Sequence, residues 1–407
     1  MKKLSILLAS ILMVSSISAK TIGVTNYESA KQKAMGGATI LSEVNENALI
    51  NNPALLNEID KWELNILGLA TSISAETPEI AEGITSMMDE VDGLKEEKIV
   101  NVLAAYLDGK EWEDNETQKI YNQDKHKLSN EKLVLEVTNV LLAFAKRGFG
   151  VGVFTAVNVN DLRLVNKPAS PEVIVDIGAT VQVPVGLAMD FGKNKQYIVG
   201  TSIKGVVGAN ASANASAADL AGGGDAEIPV VVESYSGVAV DLGTIYKSKY
   251  LNYALTVNNA FGKIEAVSID KDEKETTIDG AKLPTVINVA ISNKFDKKDR
   301  LDTWWDKYAF WTLELKNITN ADINGDGYDD ENFYKKIHLG ASSHVFNNKW
   351  VRLELRGGLN QGYPTFGFGS ELFSFLNLDY AYSTREAGLT VGSKPETLHT
   401  ISLDFRM

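Results

Sequence analysis

The 407-residue chain contains no cysteine. That excludes disulfides, thiolate metal sites, a cysteine nucleophile and a lipid-modified N-terminal cysteine. Beyond Ala19 no stretch approaches the roughly 20 apolar residues that a membrane helix needs. Positive charge is short as well. The formal net charge is −13, and removing Lys2 and Lys3 with a leader would make it −15, so no basic surface is available for nucleic acid. Histidine is scarce: only His126, His338, His344 and His399 could act as a general base. In a strand, His399 and Ser402 lie on opposite faces and cannot form a dyad, so an enzyme is not expected.

What is present begins with an export signal. Lys2 and Lys3 precede the apolar run Leu4–Val14 and the small-residue exit Ser15–Ala19. This is the order of a cleavable signal peptide over residues 1–19. The apolar run is too short to span a bilayer.

Past residue 61 the chain reads as β-strands. "SHVFNNKWVRLELRGG" (343–358) is a hairpin around Asn347-Asn348, with Val351, Leu353 and Leu355 on one face and Arg352, Glu354 and Arg356 on the other. Fourteen such segments can be laid between residues 62 and 406. Their links alternate between short polar turns ("AKRGFG", "FGKNKQ", "YKSKY", "FNNKW", "LFSFLN") and long ones (73–133, 163–172, 209–233, 262–283, 319–334, 386–396). The 296–308 link is a medium-length member of the short set. Short turns at one end and long loops at the other are the habit of outer-membrane barrels.

Aromatic residues cluster beside the short turns: Trp62, Trp304, Trp305, Trp311, Trp350, Phe191, Tyr197, Tyr246, Tyr250, Phe373 and Phe375. Their amphipathic rings fit a membrane-interface girdle. The expectation is an all-β, 14-stranded antiparallel transmembrane β-barrel with aliphatic side chains toward lipid. Glu314, Lys316, Arg352, Glu354, Arg356, Asp379, Asp404 and Arg406 would then pair across the lumen. On the earlier strands Leu67, Leu69, Phe154, Ile174 and Ile198 would form an apolar lumen patch. The second segment, "VLEVTNVLLAFA", is apolar on both faces and leaves its register open.

Two stretches carry a family resemblance. "AMGGATILSEVNENALINNPALL" (34–56), with Gly36-Gly37 and Asn52-Pro53-Ala54, resembles the plug entry of FadL-type barrels. Residues 356–405 are similar to the closing hairpins of the same superfamily. That group holds long-chain fatty-acid transporters, PorV-like secretion components and a TraF-like branch named from conjugation operons. The resemblance implies an N-terminal plug over 20–61 inside a barrel over 62–407 in the bacterial outer membrane. It implies binding or passive transport of hydrophobic small molecules such as fatty acids. The alternative it offers is a scaffold with a secretion, conjugation or surface-display partner protein. On physical grounds, Asn52-Pro53 makes a stiff turn or a helix start.

Two inserts complete the reading. Residues 77–107 have helical spacing (Ile84, Met87, Met88, Val91; Ile99, Val102, Leu103, Tyr106) and suggest a helical insert in the first external loop. "DINGDGYDDENF" places Asp322, Asn324, Asp326, Tyr328 and Asp330 at calcium-loop positions 1, 3, 5, 7 and 9. Phe333 stands where the bidentate Glu belongs, so the loop suggests weak Ca2+ binding or a plain Asp/Gly turn.

Overall fold

In the computed structural model every long segment of alternating character forms a strand, and the strands close on themselves. The structure describes residues 27–75, 133–165, 172–216, 230–269, 274–296, 300–301, 303, 308–321, 332–387 and 391–407. The leader, the 77–107 insert and the Asp322–Asp330 loop lie outside them, as do Trp304 and Trp305.

The strands are β1 (Glu63–Ser74), β2 (Leu133–Lys146), β3 (Phe149–Val165), β4 (Glu172–Phe191), β5 (Tyr197–Ser216), β6 (Val230–Lys247), β7 (Leu251–Ile269), β8 (Glu275–Thr277), β9 (Val286–Asn293), β10 (Phe310–Leu315), β11 (Ile337–Asn347), β12 (Val351–Asn360), β13 (Tyr363–Leu372), β14 (Leu376–Glu386) and β15 (Pro395–Arg406). All pairings are antiparallel between neighbours, and β1 pairs with β15, so the sheet has no free lateral edge. β8 has three residues and pairs with Val267–Ile269 of β7, above the part of β7 that β9 covers. Fifteen strands therefore occupy fourteen positions around the wall. Closure satisfies every main-chain group that hydrocarbon would otherwise leave unpaired.

Side chains alternate as lipid outside and polar inside require. Val181, Val183, Val185 and Leu187 of β4 are exposed, while Thr180 and Gln182 on the alternate positions are buried. At the short-turn end the rings of Phe191, Tyr197, Tyr246 and Tyr253 follow one another with centroids 5.1–6.2 Å apart. Trp350, Phe373 and Phe375 continue the belt. Lys249 and Lys349 lie over Tyr250 and Trp350, the mixed apolar and wet setting of an interface.

The wall is uneven in height. β3–β7 run 17–20 residues, against 6–12 for β10–β15. A tilted strand crosses hydrocarbon in roughly 9–11 residues, so β3–β7 project well beyond it. Residues 210–216 are consequently strand, although the small-residue run there reads as loop. One link also breaks the alternation of lengths. β12 and β13 join at the long-link end through Gln361-Gly362 alone, with φ of 55° and 90°. Both positive values suit a tight mirror-image turn whose twist matches the strands.

Residues 27–61 occupy the lumen and form helices α1 (Ala30–Ala34) and α2 (Ala48–Asn51) and a 3-10 turn at Pro53–Glu58. Ser29 and Gln32 cap α1 reciprocally, a capping box. Asn52 accepts from the Ala54 N–H, and Pro53 stands first in the 3-10 turn where its missing N–H costs nothing. The hydrophobic core is thus inside the cylinder. Ile40, Leu41, Leu49, Leu55 and Leu56 pack on Val140, Phe154, Ile198 and Ile245. Fully burying each such side chain contributes about 1.5–3 kcal/mol.

Candidate functional site

The lumen holds the side chains singled out in the sequence, and the inner segment is what most of them meet. On the tall wall it is held mainly by shape, with Glu58 paired to Lys247 at 2.5 Å and Asn57 donating to Asp190 at 3.2 Å. Gly200 and Gly243 face Asn52-Pro53-Ala54 so closely that a Cβ at either would overlap that turn. Gly150 and Gly186 give the same room to Leu49 and Leu56. On the low wall Gly36 and Gly37 adopt φ of +70° and +72°, and Gly36 lies against the Leu339 and Leu359 carbonyls. A left-handed residue pressed against main chain has no room for a side chain.

Glu314 is fully buried on β10. Its carboxylate accepts from the main-chain N–H groups of Thr39 (2.7 Å), Ile40 (2.9 Å) and Leu41 (3.1 Å). Lys316 donates to the Gly37 carbonyl at 2.9 Å and pairs with Glu28 at 3.1 Å. His338 donates through Nδ1 to the Gly36 carbonyl, and Thr365 bridges Gly36 N–H and the Ala34 carbonyl. Glu354 pairs with Lys31 of the inner segment (3.2 Å) and with Arg356 (2.7 Å), which also reaches Asp379 at 2.6 Å. Arg406 pairs with the buried Glu46 at 2.7 Å. Asp404 accepts from Asn65 at 3.4 Å. Arg352 pairs with its strand neighbour Glu371 and stays half exposed.

These contacts correct the expectation that the charges pair across the lumen. They pair along the wall or with residues 28–46, because the inner segment fills the space between the walls. Glu28 shows what such a partner does. Burial is the largest single effect and would raise its pKa. The Lys316 charge and hydrogen bond, together with the Lys33 charge, outweigh it and hold the carboxyl below its usual range.

Leu67 and Leu69 are a second correction. Both are exposed on the outer face, with Gly68 and Ala70 inward between them. Asn65 pairs with Arg406 and Leu67 with Phe405, so one extra residue, Ile66, bulges out and reverses the alternation. β2 has a matching bulge at Leu141-Leu142, both exposed, which is why "VLEVTNVLLAFA" reads as apolar on both faces. Phe154 and Ile198 are buried in the lumen core, and Ile174 lies on the inward parity of β4, half buried.

Other lumen charges escaped the strand reading. Lys33 of the inner segment pairs with Glu136 of β2, which Arg385 of β14 holds at 2.6 Å together with Glu396. Lys204 pairs with the fully buried Asp241 at 2.8 Å, and Asp241 also accepts from the Asn259 N–H at a bulge in β7. Glu136, Lys204 and Asp241 each stand as an isolated charge in an apolar stretch of strand. That was the available signal.

Two cavities flank the inner segment. One, of about 120 Å³, opens toward the long-link end between β4, β5, β7, β9 and the inner segment. Ile50, Val206, Leu283, Pro284 and Val286 line its apolar side, and Lys204, Lys316 and several asparagines the rest. It adjoins an apolar cluster of Val206, Tyr235, Ala239, Ile264, Ala266, Ala281 and Leu283 on the inner face of the tall wall. The other, of about 200 Å³, lies toward the short-turn end among Glu63, Arg352, Glu354, Arg356, Asp404 and Arg406.

No family model and no curated protein matches the sequence. Among solved structures the chain is similar to the toluene transporter TodX of Pseudomonas putida, with 12% identity over 95% of this chain and 98% of that one, TM-score 0.48. It is also similar to the toluene transporter TbuX of Ralstonia pickettii, at 11% identity over 96% and 98%, TM-score 0.46. A third is a FadL homologue of Pseudomonas aeruginosa, at 10% identity over 96% and 99%, TM-score 0.44. The chain's own strand pairing makes it a closed 14-stranded antiparallel β-barrel with its N-terminal segment seated inside.

Proposed function

We propose that this chain is a bacterial outer-membrane barrel that takes up small hydrophobic molecules from the long-link side and passes them on without an energy source. In this reading the long links are external, the short turns periplasmic, and residues 20–61 are a plug. The observation that carries it is the cavity above the inner segment, whose apolar side (Val206, Leu283, Val286) runs into the apolar cluster of the tall wall. A cavity of about 150 Å³ lined by apolar side chains binds benzene, so about 120 Å³ suits a molecule of ring size or the end of a chain.

The test is equilibrium binding of radiolabelled toluene and of a medium-chain fatty acid to the purified barrel in detergent. Saturable binding of either, weakened at least tenfold in Leu283→Glu, supports the reading. Absence of saturable binding, with uptake unchanged in a deletion strain, overturns it.

The ion pairs of the low wall favour a second reading, a scaffold for a secretion or conjugation partner. There the lumen is filled by charge rather than kept open for cargo. Crosslinking that recovers a stoichiometric envelope partner, with no small-molecule binding, would select it. In either reading the Asp322–Asp330 segment is a candidate external site for weak Ca2+ binding, with a plain Asp/Gly turn as the alternative.

A further inference from the structure

The two cavities share one lining residue, Tyr27. Its ring is buried and packs edge-on against Phe154 of β3, with centroids 5.4 Å apart. Above it, the external cavity has a polar side facing its apolar one: Asn258, Asn259, Asn288 and Asn317 with Lys204 and Lys316. The Asn51 amide nitrogen and the Asn259 amide oxygen, both on lining residues, have no partner among the described residues. Buried amide groups of this kind are normally satisfied by water or by a solute. Below Tyr27 the lining turns ionic. A hydrophobic cargo gains nothing from either surface beyond the apolar side of the upper cavity.

We propose that the lumen carries a second, polar path, running from the external cavity past Tyr27 to the periplasmic cavity, that admits small hydrophilic solutes when the Tyr27 ring leaves Phe154. The path goes beyond the hydrophobic uptake proposed above, and either can fail without the other. Charged side chains line both cavities, and among the described residues Tyr27 is the one that both cavities touch. Tyr27 is joined to the wall by packing on Phe154, whereas Glu28 and Lys31 beside it are tied by ion pairs. The ring can therefore move while the segment stays docked.

The experiment is conductance of the full mature chain in planar bilayers in potassium chloride, with heat-modifiable gel migration to confirm a folded barrel. Wild type and Tyr27→Phe are expected to stay closed, and Tyr27→Ala to show steps at least fivefold above the wild-type level. Asn288→Trp, which narrows the upper cavity, is expected to abolish those steps in the Tyr27→Ala background. A folded Tyr27→Ala barrel at wild-type conductance overturns the path, as does a current that Asn288→Trp leaves unchanged. Should Tyr27→Ala not fold, Tyr27→Cys gives the chain its only thiol. Its current should fall when a small water-soluble thiol reagent is added from either side, and a folded Tyr27→Cys barrel with no current, or with one insensitive to the reagent, contradicts the proposal. Toluene binding, measured in parallel, tells failure of this path from failure of the hydrophobic reading.

Discussion

The two walls of this barrel hold one segment in different ways. The tall wall, β3–β7, offers mainly glycines and aliphatic side chains, and the segment fits them by volume: Pro53-Ala54 on Gly200 and Gly243, Leu49 and Leu56 on Gly150 and Gly186. Glu58–Lys247 and Asn57–Asp190 are the directed contacts at its end. The low wall, β10–β15, offers carboxylates, cations and hydroxyls, and the segment meets them through directed bonds to Glu314, Lys316, His338, Glu354 and Thr365. Packing sets how close the segment comes, and hydrogen bonds set its register. The division follows from the forces themselves, since apolar contact is non-directional and hydrogen bonds to charged groups fix orientation.

Breaking the directed side at its most buried point should have the largest effect. Glu314→Ala leaves three buried N–H groups without an acceptor, and each orphaned group costs about 1–3 kcal/mol. We expect a loss of about 4 kcal/mol in unfolding free energy, read by denaturant titration in detergent, and cleavage of residues 27–61 by added protease while the wall stays resistant. On the packed side, Gly200→Ala forces a methyl group into the Pro53-Ala54 turn, and overpacking of this kind costs about 1–3 kcal/mol. The same titration should register about 2 kcal/mol, with the low-wall contacts kept.

Acid tests the directed side through the Glu28–Lys316 pair. The folded pKa of Glu28 is depressed, so its pairing with Lys316 contributes fully above the ordinary carboxylate range and is lost as pH falls through the folded value. Protease access to residues 27–61 should therefore rise at acid pH in wild type. In Glu28→Gln the acid-dependent part of that rise should shrink. The smallest effect is expected at Arg352–Glu371, a half-exposed pair of the kind that contributes about 0–1 kcal/mol. Arg352→Met should change the denaturation midpoint by less than the spread of replicate titrations.

How legible each wall was follows from the same chemistry. Strand count, closure and the aromatic girdle could be read from period-2 alternation and turn residues, because each leaves a local trace. The inward charges of β10, β12, β14 and β15 were legible for that reason. Their partners were not. Glu314 bonds to main-chain N–H groups, which have no side-chain signature in sequence. The error at Leu67 and Leu69 came from Ile66: a single bulged residue inverts every face after it, and alternation alone does not show where it sits. The glycine floor under Leu49, Leu56 and the Asn52-Pro53-Ala54 turn (Gly150, Gly186, Gly200 and Gly243) was invisible for a different reason. Those glycines stand in four separate strands and acquire meaning only when closure brings them together. The heights of β3–β7 were missed because Ala, Ser and Asn at residues 209–216 have loop composition, yet ladder hydrogen bonds to β4 and β6 hold them extended.

All of this depends on aliphatic faces turned to lipid and polar ones to an occupied lumen. The most direct measurement is a spin-label scan of single cysteines along residues 177–187 of β4 in bilayers, straightforward in a chain without native thiols. Collision rates with oxygen should alternate with period two, high at Ile177, Val181, Val183, Val185 and Leu187 and low at Gly178, Thr180, Gln182 and Gly186. A flat profile, or one of opposite phase, would contradict the account.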